Sequence, residues 1–249
     1  MSLNTSHSGS GVVLYFGERI LLFYDGAELK LEGPSNVVPF KGTKKGRIFL
    51  TTHRIIFTNN NAKDTLQSFS AAFLSLSELE LEQPIFGANF IKGSVKAEAN
   101  GNWEGRSKLK LWFNKGGAIE FGRAMLECGR RACRVAQQMP PPPPYTPPTD
   151  FYPAEFNQYA PPQNSEYGFV PYNHFPDQPP ANSVYMATAP PPYPGIAPIS
   201  PADAKAQEAH QGQAYYQNGD GHNMYMQNAS APAYPDAPPA YNDINKKDN

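Results

Sequence analysis

Residues 121–135 read FGRAMLECGRRACRV, and the spacing of their apolar side chains decides how the chain folds. The apolar positions are separated by 4, 3, 4 and 3 residues, which places them on one face of an α-helix: Phe121, Met125, Cys128, Ala132 and Val135. Arginines crowd the C-terminal half of this stretch, where they complement the helix dipole. Pro140 disfavours helical geometry at Met139, so we expect the helix to end there.

Upstream of this helix, short β-branched and aromatic runs and stretches with a period of two are typical of strands, the latter of strands with one exposed face. Strands are predicted over residues 12–16, 20–24, 28–32, 47–51, 54–58, 95–99 and 108–113. Asp25-Gly26 and Thr52-His53 are interpreted as turns, and Asn100-Gly101 is a strong hairpin signal. Residues 66–82 fit either a helix or strands, and we favour strands.

The expected fold is therefore β-rich α+β, with about seven antiparallel strands closed by one C-terminal helix. This arrangement, a small sandwich or barrel with a helix over one opening, is typical of pleckstrin-homology-like domains. Residues 12–138 are assigned to this domain.

A short motif, Pro-Pro-x-Tyr, occurs three times after the helix. Its tyrosines are separated by 48 residues each, and the motif residues are Pro142, Pro143 and Tyr145, then Pro190, Pro191 and Tyr193, then Pro238, Pro239 and Tyr241. Proline runs adopt the polyproline II conformation before binding, so little ordering entropy is lost on docking. WW domains bind such segments between aromatic rings, with the tyrosine in a neighbouring pocket. One copy is expected by chance in so proline-rich a region, but three copies favour WW ligands.

Composition divides the chain at about residue 139. Residues 1–139 contain 18 Lys+Arg against 12 Asp+Glu, whereas residues 140–249 contain 3 against 10, together with 24 prolines and 12 tyrosines. The second region has too little apolar surface to offset its ordering entropy. Residues 139–249 are therefore predicted to be a disordered tail, and residues 1–11 a disordered N-terminus.

The sequence predicts an intracellular protein that is not secreted. The stretch that begins Met1-Ser2-Leu3 lacks a signal-peptide pattern, and no window approaches the 18 apolar residues that a membrane-spanning helix needs. Cys128 and Cys133 lie five apart on the predicted helix and point in different directions, so neither a mutual disulfide nor a shared metal is expected.

No catalytic residues, metal site or cofactor are predicted. The five histidines have no ligand-type residues at suitable spacing, and His53 is interpreted as a turn residue. Glu78, Glu80 and Glu82 alternate along a strand, which is far more often a solvated face than an acid–base row. The glycine loop at residues 42–46 lacks the spacing of a nucleotide-binding P-loop.

A basic set gives a second binding hypothesis, because domains of this fold class that bind phosphoinositides use lysines and arginines in loops. The candidate lipid-binding residues are Lys41, Lys44, Lys45, Arg47, Lys92 and Lys96. Protein binding by the same domain, with these charges as ordinary surface, remains the alternative. Direct nucleic-acid binding is not expected, since the arginine-rich helix lacks stacking aromatics beside it.

Several stretches of the folded region resemble motifs of the WW domain-binding protein 2 family. They are FKGTKKG at 40–46, QPIFGANFIKG at 83–93, VKAEA at 95–99, WEG at 103–105 and GGAIEFG at 116–122. These stretches are spread over residues 40–122, and the resemblance extends over most of residues 12–138. The tail resembles the family in composition and in its Pro-Pro-x-Tyr motifs.

The resemblance implies a GRAM domain, which is a pleckstrin-homology-like fold, followed by a proline-rich tail. It also implies WW-domain partners in transcriptional coactivators and HECT-type ubiquitin ligases, and hence a non-enzymatic adaptor or coactivator in the cytoplasm and nucleus. The alternative is a phosphoinositide-binding adaptor at the membrane surface that recruits WW-type ubiquitin ligases. One branch of the family is a sperm-head protein implicated in egg activation. The scarcity of Tyr-Gly-x-Pro-Pro repeats, of which residues 167–171 are the nearest, disfavours that branch.

Overall fold

The computed structural model describes residues 1–34, 36–138, 147–154 and 167–196. In chain order its strands are β1 (Ser2–Leu3), β2 (His7–Ser8), β3 (Gly11–Leu14), β4 (Ile20–Glu32), β5 (Thr43–Thr51), β6 (Arg54–Asn59), β7 (Ser68–Ala72), β8 (Leu76–Glu82), β9 (Phe90–Lys96), β10 (Arg106–Phe113), β11 (Phe151–Pro153) and β12 (Val184–Ala187). A single α-helix in this part of the chain, α1 (Ala118–Gln138), lies between β10 and β11.

The described strands form two sheets. The larger has the order β1-β7-β6-β5-β4-β10-β9-β8, and every neighbouring pair in it is antiparallel. The smaller has the order β11-β12-β3-β2, with β12 parallel to β3. The larger sheet carries the predicted strands except that over residues 12–16, which corresponds to β3 of the smaller sheet, and it also contains the two-residue strand β1.

Strand β4 is longer than predicted, because Asp25-Gly26 is not a turn. The chain stays paired with β5 on both sides of this dipeptide, and the register shifts between Asp25 and Ala27. Gly26 takes a φ of +91°, which an L side chain rarely adopts, so the extra residue is accommodated as a bulge. The strand continues because Ala27, Leu29 and Leu31 all reach the core.

Of two other local predictions, one was wrong and one is confirmed. The basic segment expected to be a loop is strand from Thr43 onward, since Thr43–Gly46 pair with β4. The ambiguous residues 66–82 form strands β7 and β8, joined by a 3₁₀ turn at Phe73–Ser75, which confirms the favoured interpretation.

Helix α1 packs on the main core through the face that its spacing predicts. Phe121, Met125, Cys128 and Ala132 are all 2% exposed or less. The Phe121 ring meets that of Phe113 on β10 at a centroid distance of 5.0 Å. Cys128 and Cys133 are both free thiols, one buried and one exposed, as their spacing predicted.

The N-terminal residues differ from the predicted disorder. The side chain of Met1 is fully buried, and its carbonyl accepts a hydrogen bond from Trp103 Nε1 at 3.2 Å. Ser2 and Leu3 pair with β7, while His7–Ser8 pair with β3. The contacts of Met1, Ser2 and Leu3 are with residues far along the chain, which local composition does not reveal.

Two described segments beyond the helix also differ from the predicted disorder. Residues 147–154 and 167–196 contribute β11 and β12, and Tyr167, Val170 and Phe175 join the main core. All described residues belong to one compact unit, Met1–Gln207. A short segment with few apolar residues becomes ordered here because it adds to a core and a strand edge that already exist.

Candidate functional site

The structure describes one of the three Pro-Pro-x-Tyr motifs. Pro142, Pro143 and Tyr145 of the first, and Pro238, Pro239 and Tyr241 of the third, lie outside the described residues. Pro190, Pro191 and Tyr193 of the second lie on the surface of the folded domain. Their placement there was not foreseen from the sequence.

The second motif reaches the domain by following strand β3. Strand β12 pairs in parallel with β3, from Val184 opposite Val12 to Met186 opposite Leu14. Beyond the strand, the backbone N–H of Phe16 donates to the carbonyl of Ala189 at 2.9 Å. This bond positions the residue immediately before Pro190, so the motif begins where the strand pairing ends.

Tyr193 packs its ring against the domain. It is partly buried beside Val13, Tyr15 and Ala187. Its ring stands edge-on to that of Tyr15, with the interplanar angle at 87° and the centroids 6.0 Å apart, a favourable aromatic geometry. Pro190 remains exposed and Pro191 is partly buried. The motif therefore presents its first proline to solvent and turns its tyrosine inward.

The residues after the motif are also held. The N–H of Ile196 donates to the carbonyl of Thr52, in the turn between β5 and β6, at 2.8 Å. The Ile196 side chain is only 7% exposed and joins the main core. Gly195 lies against the imidazole of His53, where an added Cβ would come within 2.4 Å of Nε2. A residue larger than glycine fits this position only if the His53 ring moves.

Beneath Tyr15 lies a fully buried ion pair that sequence reasoning missed. Arg54 and Glu18 are both completely buried, and the guanidinium makes two hydrogen bonds of 3.0 Å to the carboxylate. The guanidinium also lies over the Tyr15 ring, 4.5 Å from its centroid. Arg54 at the head of the apolar run Ile55–Phe57 was the available signal for it.

Burial shifts the ionisation of the groups around this pair. Desolvation, which outweighs the nearby Arg54, raises the pKa of Tyr193 well above its usual value. Desolvation also lowers the pKa of His53, despite the opposing effect of Glu18. Tyr193 and His53 are thus both held in their neutral forms where residues 193–196 contact the domain.

The structure does not bring the six predicted lipid-binding cations together. Lys41, Lys44, Lys45 and Arg47 lie on or just before β5, while Lys92 and Lys96 lie on β9, with β4 and β10 between. Four of the six are in ion pairs: Lys44 with Asp64 (2.8 Å), Lys45 with Glu28 (3.2 Å), Arg47 with Asp25 (3.7 Å), and Lys92 with Glu80 and Glu82 (2.7 and 2.6 Å).

A different set of cations lines a surface groove. Lys41 shares it with Arg106 and Lys108, around an apolar floor that includes Phe40. Within the described ranges, none of these three cations forms an ion pair. Arg106 and Lys108 were not among the candidates, and the alternation of Lys108 with Leu109 indicated only the exposed face of a strand.

The glutamate row on β8 is a solvated, paired face. Glu80 and Glu82 bind Lys92, and Glu78 accepts a hydrogen bond from Ser94 at 2.6 Å. Among the described residues, no three histidine, cysteine, aspartate or glutamate side chains are arranged to hold a metal ion. The described part of the chain contains no helix of the length and apolarity needed to cross a bilayer.

Comparison with known proteins gives the following similarities. The GRAM domain model matches residues 16–128. WW domain-binding protein 2 of Homo sapiens is 40% identical over 255 residues, which cover 91% of this chain and 93% of that protein. WW domain-binding protein 2 of Mus musculus is 51% identical over 136 residues, covering 54% of this chain and 52% of that protein.

Among solved structures, the Vps36 N-terminal PH domain matches with a TM-score of 0.37 and 21% identity, covering 50% of this chain and 88% of that chain. The GRAM match, together with the antiparallel sheet and the helix that follows it, confirms the predicted fold class.

Proposed function

Because the chain belongs to the WW domain-binding protein 2 family, we propose that it is a non-enzymatic adaptor that binds WW domains through its three Pro-Pro-x-Tyr motifs. The observation that carries this proposal is the threefold occurrence of the motif in a chain whose relatives are named for WW-domain binding. In each motif the prolines supply a preformed polyproline II helix and the tyrosine supplies an aromatic anchor.

The partners proposed are WW-domain proteins, specifically transcriptional coactivators and HECT-type ubiquitin ligases, which the family resemblance implies. The adaptor then acts in the cytoplasm and nucleus and takes part in transcriptional coactivation. Its folded domain positions the chain while the motifs recruit the partner. Three motifs in one chain also allow a partner with two WW domains to bind at two points.

The test is a binding measurement on the full chain. Tyr145, Tyr193 and Tyr241 are replaced together by alanine, and the affinity for a purified WW domain is measured by calorimetry. Loss of a buried aromatic anchor costs about 2 kcal/mol or more at an interface, so binding should fall below detection. A matched variant replaces Tyr159, Tyr215 and Tyr225, which stand outside the motifs. It should bind normally, whereas equal binding by the two variants contradicts the proposal.

The second candidate function is attachment to a phosphoinositide membrane, and the groove of Lys41, Arg106 and Lys108 favours it. Three cations that have no carboxylate partner among the described residues supply the charge that an inositol phosphate needs, and Glu32, which also lines the groove, is paired with Lys30 and Lys110. The test is flotation of the full chain with vesicles that contain phosphatidylinositol phosphates. Replacing Lys41 and Lys108 by glutamate should abolish flotation, while replacing the paired Lys45 should have a smaller effect. Absence of flotation by the unmodified chain contradicts this function.

A further inference from the structure

We infer that the face of the domain formed by Tyr15, Thr52 and His53 is a binding surface for the second Pro-Pro-x-Tyr motif, so that this surface and WW domains compete for Tyr193. The inference rests on the proposed function in one respect, since it takes WW domains as the competitors. It predicts that the three motifs are not equivalent in the full chain. The second motif is available to a WW domain only while the segment of residues 189–196 is released from the domain.

The competition follows from the use of the same side chain by both partners. A WW domain takes the tyrosine of the motif into a pocket and the prolines between aromatic rings. In this structure the Tyr193 ring already packs edge-on against Tyr15, beside the buried pair of Arg54 and Glu18. One ring cannot occupy both environments, so WW binding requires that Tyr193 leave the domain.

The segment is held on both sides of the tyrosine, which makes the contact more than the chance placement of one ring. On the N-terminal side, the Phe16 N–H donates to the carbonyl of Ala189. On the C-terminal side, the Ile196 N–H donates to the carbonyl of Thr52, and the Ile196 side chain enters the core. Releasing Tyr193 therefore exposes an apolar side chain and returns backbone groups to water.

The surface also discriminates among the three motifs. Tyr193 is followed by Pro194, Gly195 and Ile196, and the glycine is the residue that passes over the His53 ring. Tyr241 is likewise followed by an isoleucine at the third position, but Asp243 stands where the glycine would be. A Cβ at that position would meet three ring atoms of His53 within 2.7 Å. The third motif could therefore make the same contact only if the His53 ring moved.

In competition of this kind, the apparent Kd for a WW domain equals the Kd of the free motif divided by the fraction of chains in which the motif is released. If the docked state outweighs the released state roughly tenfold, the apparent Kd for a WW domain rises roughly tenfold above that of the free motif. Any change that releases the segment without altering Pro190, Pro191 or Tyr193 should restore the intrinsic affinity.

The experiment isolates the second motif in the full chain by replacing Tyr145 and Tyr241 with alanine. Two further variants in this background, Ile196→Asp and Gly195→Val, remove the anchors beyond the motif and leave the motif itself intact. Binding to a purified WW domain should tighten roughly tenfold in both. Gly129→Ala in helix α1, where an added Cβ meets nothing within 4 Å, is the control and should not change the affinity.

Two measurements separate this inference from its alternatives. Hydrogen exchange at the Ile196 amide should accelerate in Gly195→Val, which shows that the segment has been released. Synthetic peptides of residues 188–197, with and without each substitution, should bind the WW domain equally. If the peptides do not bind at all, the proposed function is wrong. If the parent chain binds as tightly as its peptide, and the released variants bind no tighter, the competition is wrong while the function stands.

Discussion

The guanidinium of Arg54 and the carboxylate of Glu18 form a two-point ion pair, with both N–O distances 3.0 Å, in which neither side chain is exposed to solvent. The remaining groups are also satisfied. Arg54 donates to the Ser6 hydroxyl and the Val13 carbonyl, and Glu18 accepts from the Thr51 hydroxyl at 2.6 Å. The pair therefore joins the N-terminal strands to the hairpin of β5 and β6.

Removing one member of this pair should destabilise the fold strongly. Arg54→Met leaves the Glu18 carboxylate buried without its counter-ion, and breaking buried pairs in this way costs about 3–5 kcal/mol. Urea denaturation of the full chain measures the free energy of unfolding. The control is Arg134→Met, because Arg134 is 59% exposed on helix α1 and should contribute little. A loss below about 1 kcal/mol for Arg54→Met would contradict this assignment.

The same pair predicts a pH dependence. Burial alone would raise the pKa of Glu18, but Arg54 and the Thr51 hydroxyl outweigh burial and hold it below its usual value of 4.5. A carboxyl whose pKa is lowered by folding stabilises the fold at pH above 4.5, and this contribution is lost as the pH falls through the lowered value. The difference in unfolding free energy between the unmodified chain and Glu18→Gln should shrink as the pH falls below 4.5, through the lowered pKa of Glu18. A difference that grows on acidification would exclude this role.

Alternation along the chain predicted the strands well, yet it could not predict the buried pair. Residues 47–51 and 54–58 were predicted to form a hairpin because two short apolar runs flank the Thr52-His53 turn, and β5 and β6 confirm it. The partner of Arg54 is 36 residues away in sequence, so no local pattern joins the two. From the sequence, Arg54 was therefore predicted only to be the first residue of the strand over residues 54–58.

The position of the second motif on the domain could not be predicted from the sequence for a related reason. Composition averages over the whole of residues 139–249, and that average predicts disorder. Within it, Val184–Ala187 is a short β-prone run, and it pairs with β3, whose edge is already in place. The sequence predicts that polyproline II geometry favours recognition of the motif, but it does not show that Tyr193 packs against Tyr15 of the domain.

Phe175 should stabilise the domain, although the domain was predicted to end with helix α1 and Phe175 lies beyond that helix. Its side chain is 3% exposed and its ring contacts Tyr24 and Phe121, with centroids 6.2 and 5.9 Å away. Phe175→Ala should cost roughly 3–5 kcal/mol in urea denaturation of the full chain. Phe151→Ala, at a phenylalanine that is 41% exposed in the same region, should cost much less. Equal losses at the two positions would show that residues 167–175 do not pack as described.

The final prediction concerns binding to a partner with two WW domains. An unstructured chain of 48 residues would span roughly 40 Å, a distance that suits two adjacent small domains, so two motifs of one chain can be bound at once if the residues between them are free of the domain. Between Tyr145 and Tyr193 this requires that β11, β12 and residues 167–175 be released, since all of them pack on the domain. The second binding event then takes place at an effective concentration up to the order of millimolar, and the apparent affinity can rise by about 10²-fold. We expect chains that retain one, two or three motif tyrosines to bind progressively more tightly.

The choice of the retained pair separates linker length from docking on the domain. By linker length alone, Tyr145 with Tyr193 should be the better pair, because doubling the separation to that of Tyr145 and Tyr241 lowers the effective concentration about threefold. If Tyr193 is held against Tyr15, the order reverses, and the more distant pair binds more tightly. Titration of a tandem-WW protein against the two double-motif chains measures this order. Equal affinities for chains with one, two and three tyrosines, apart from the statistical factor, would show that the motifs act as independent single ligands.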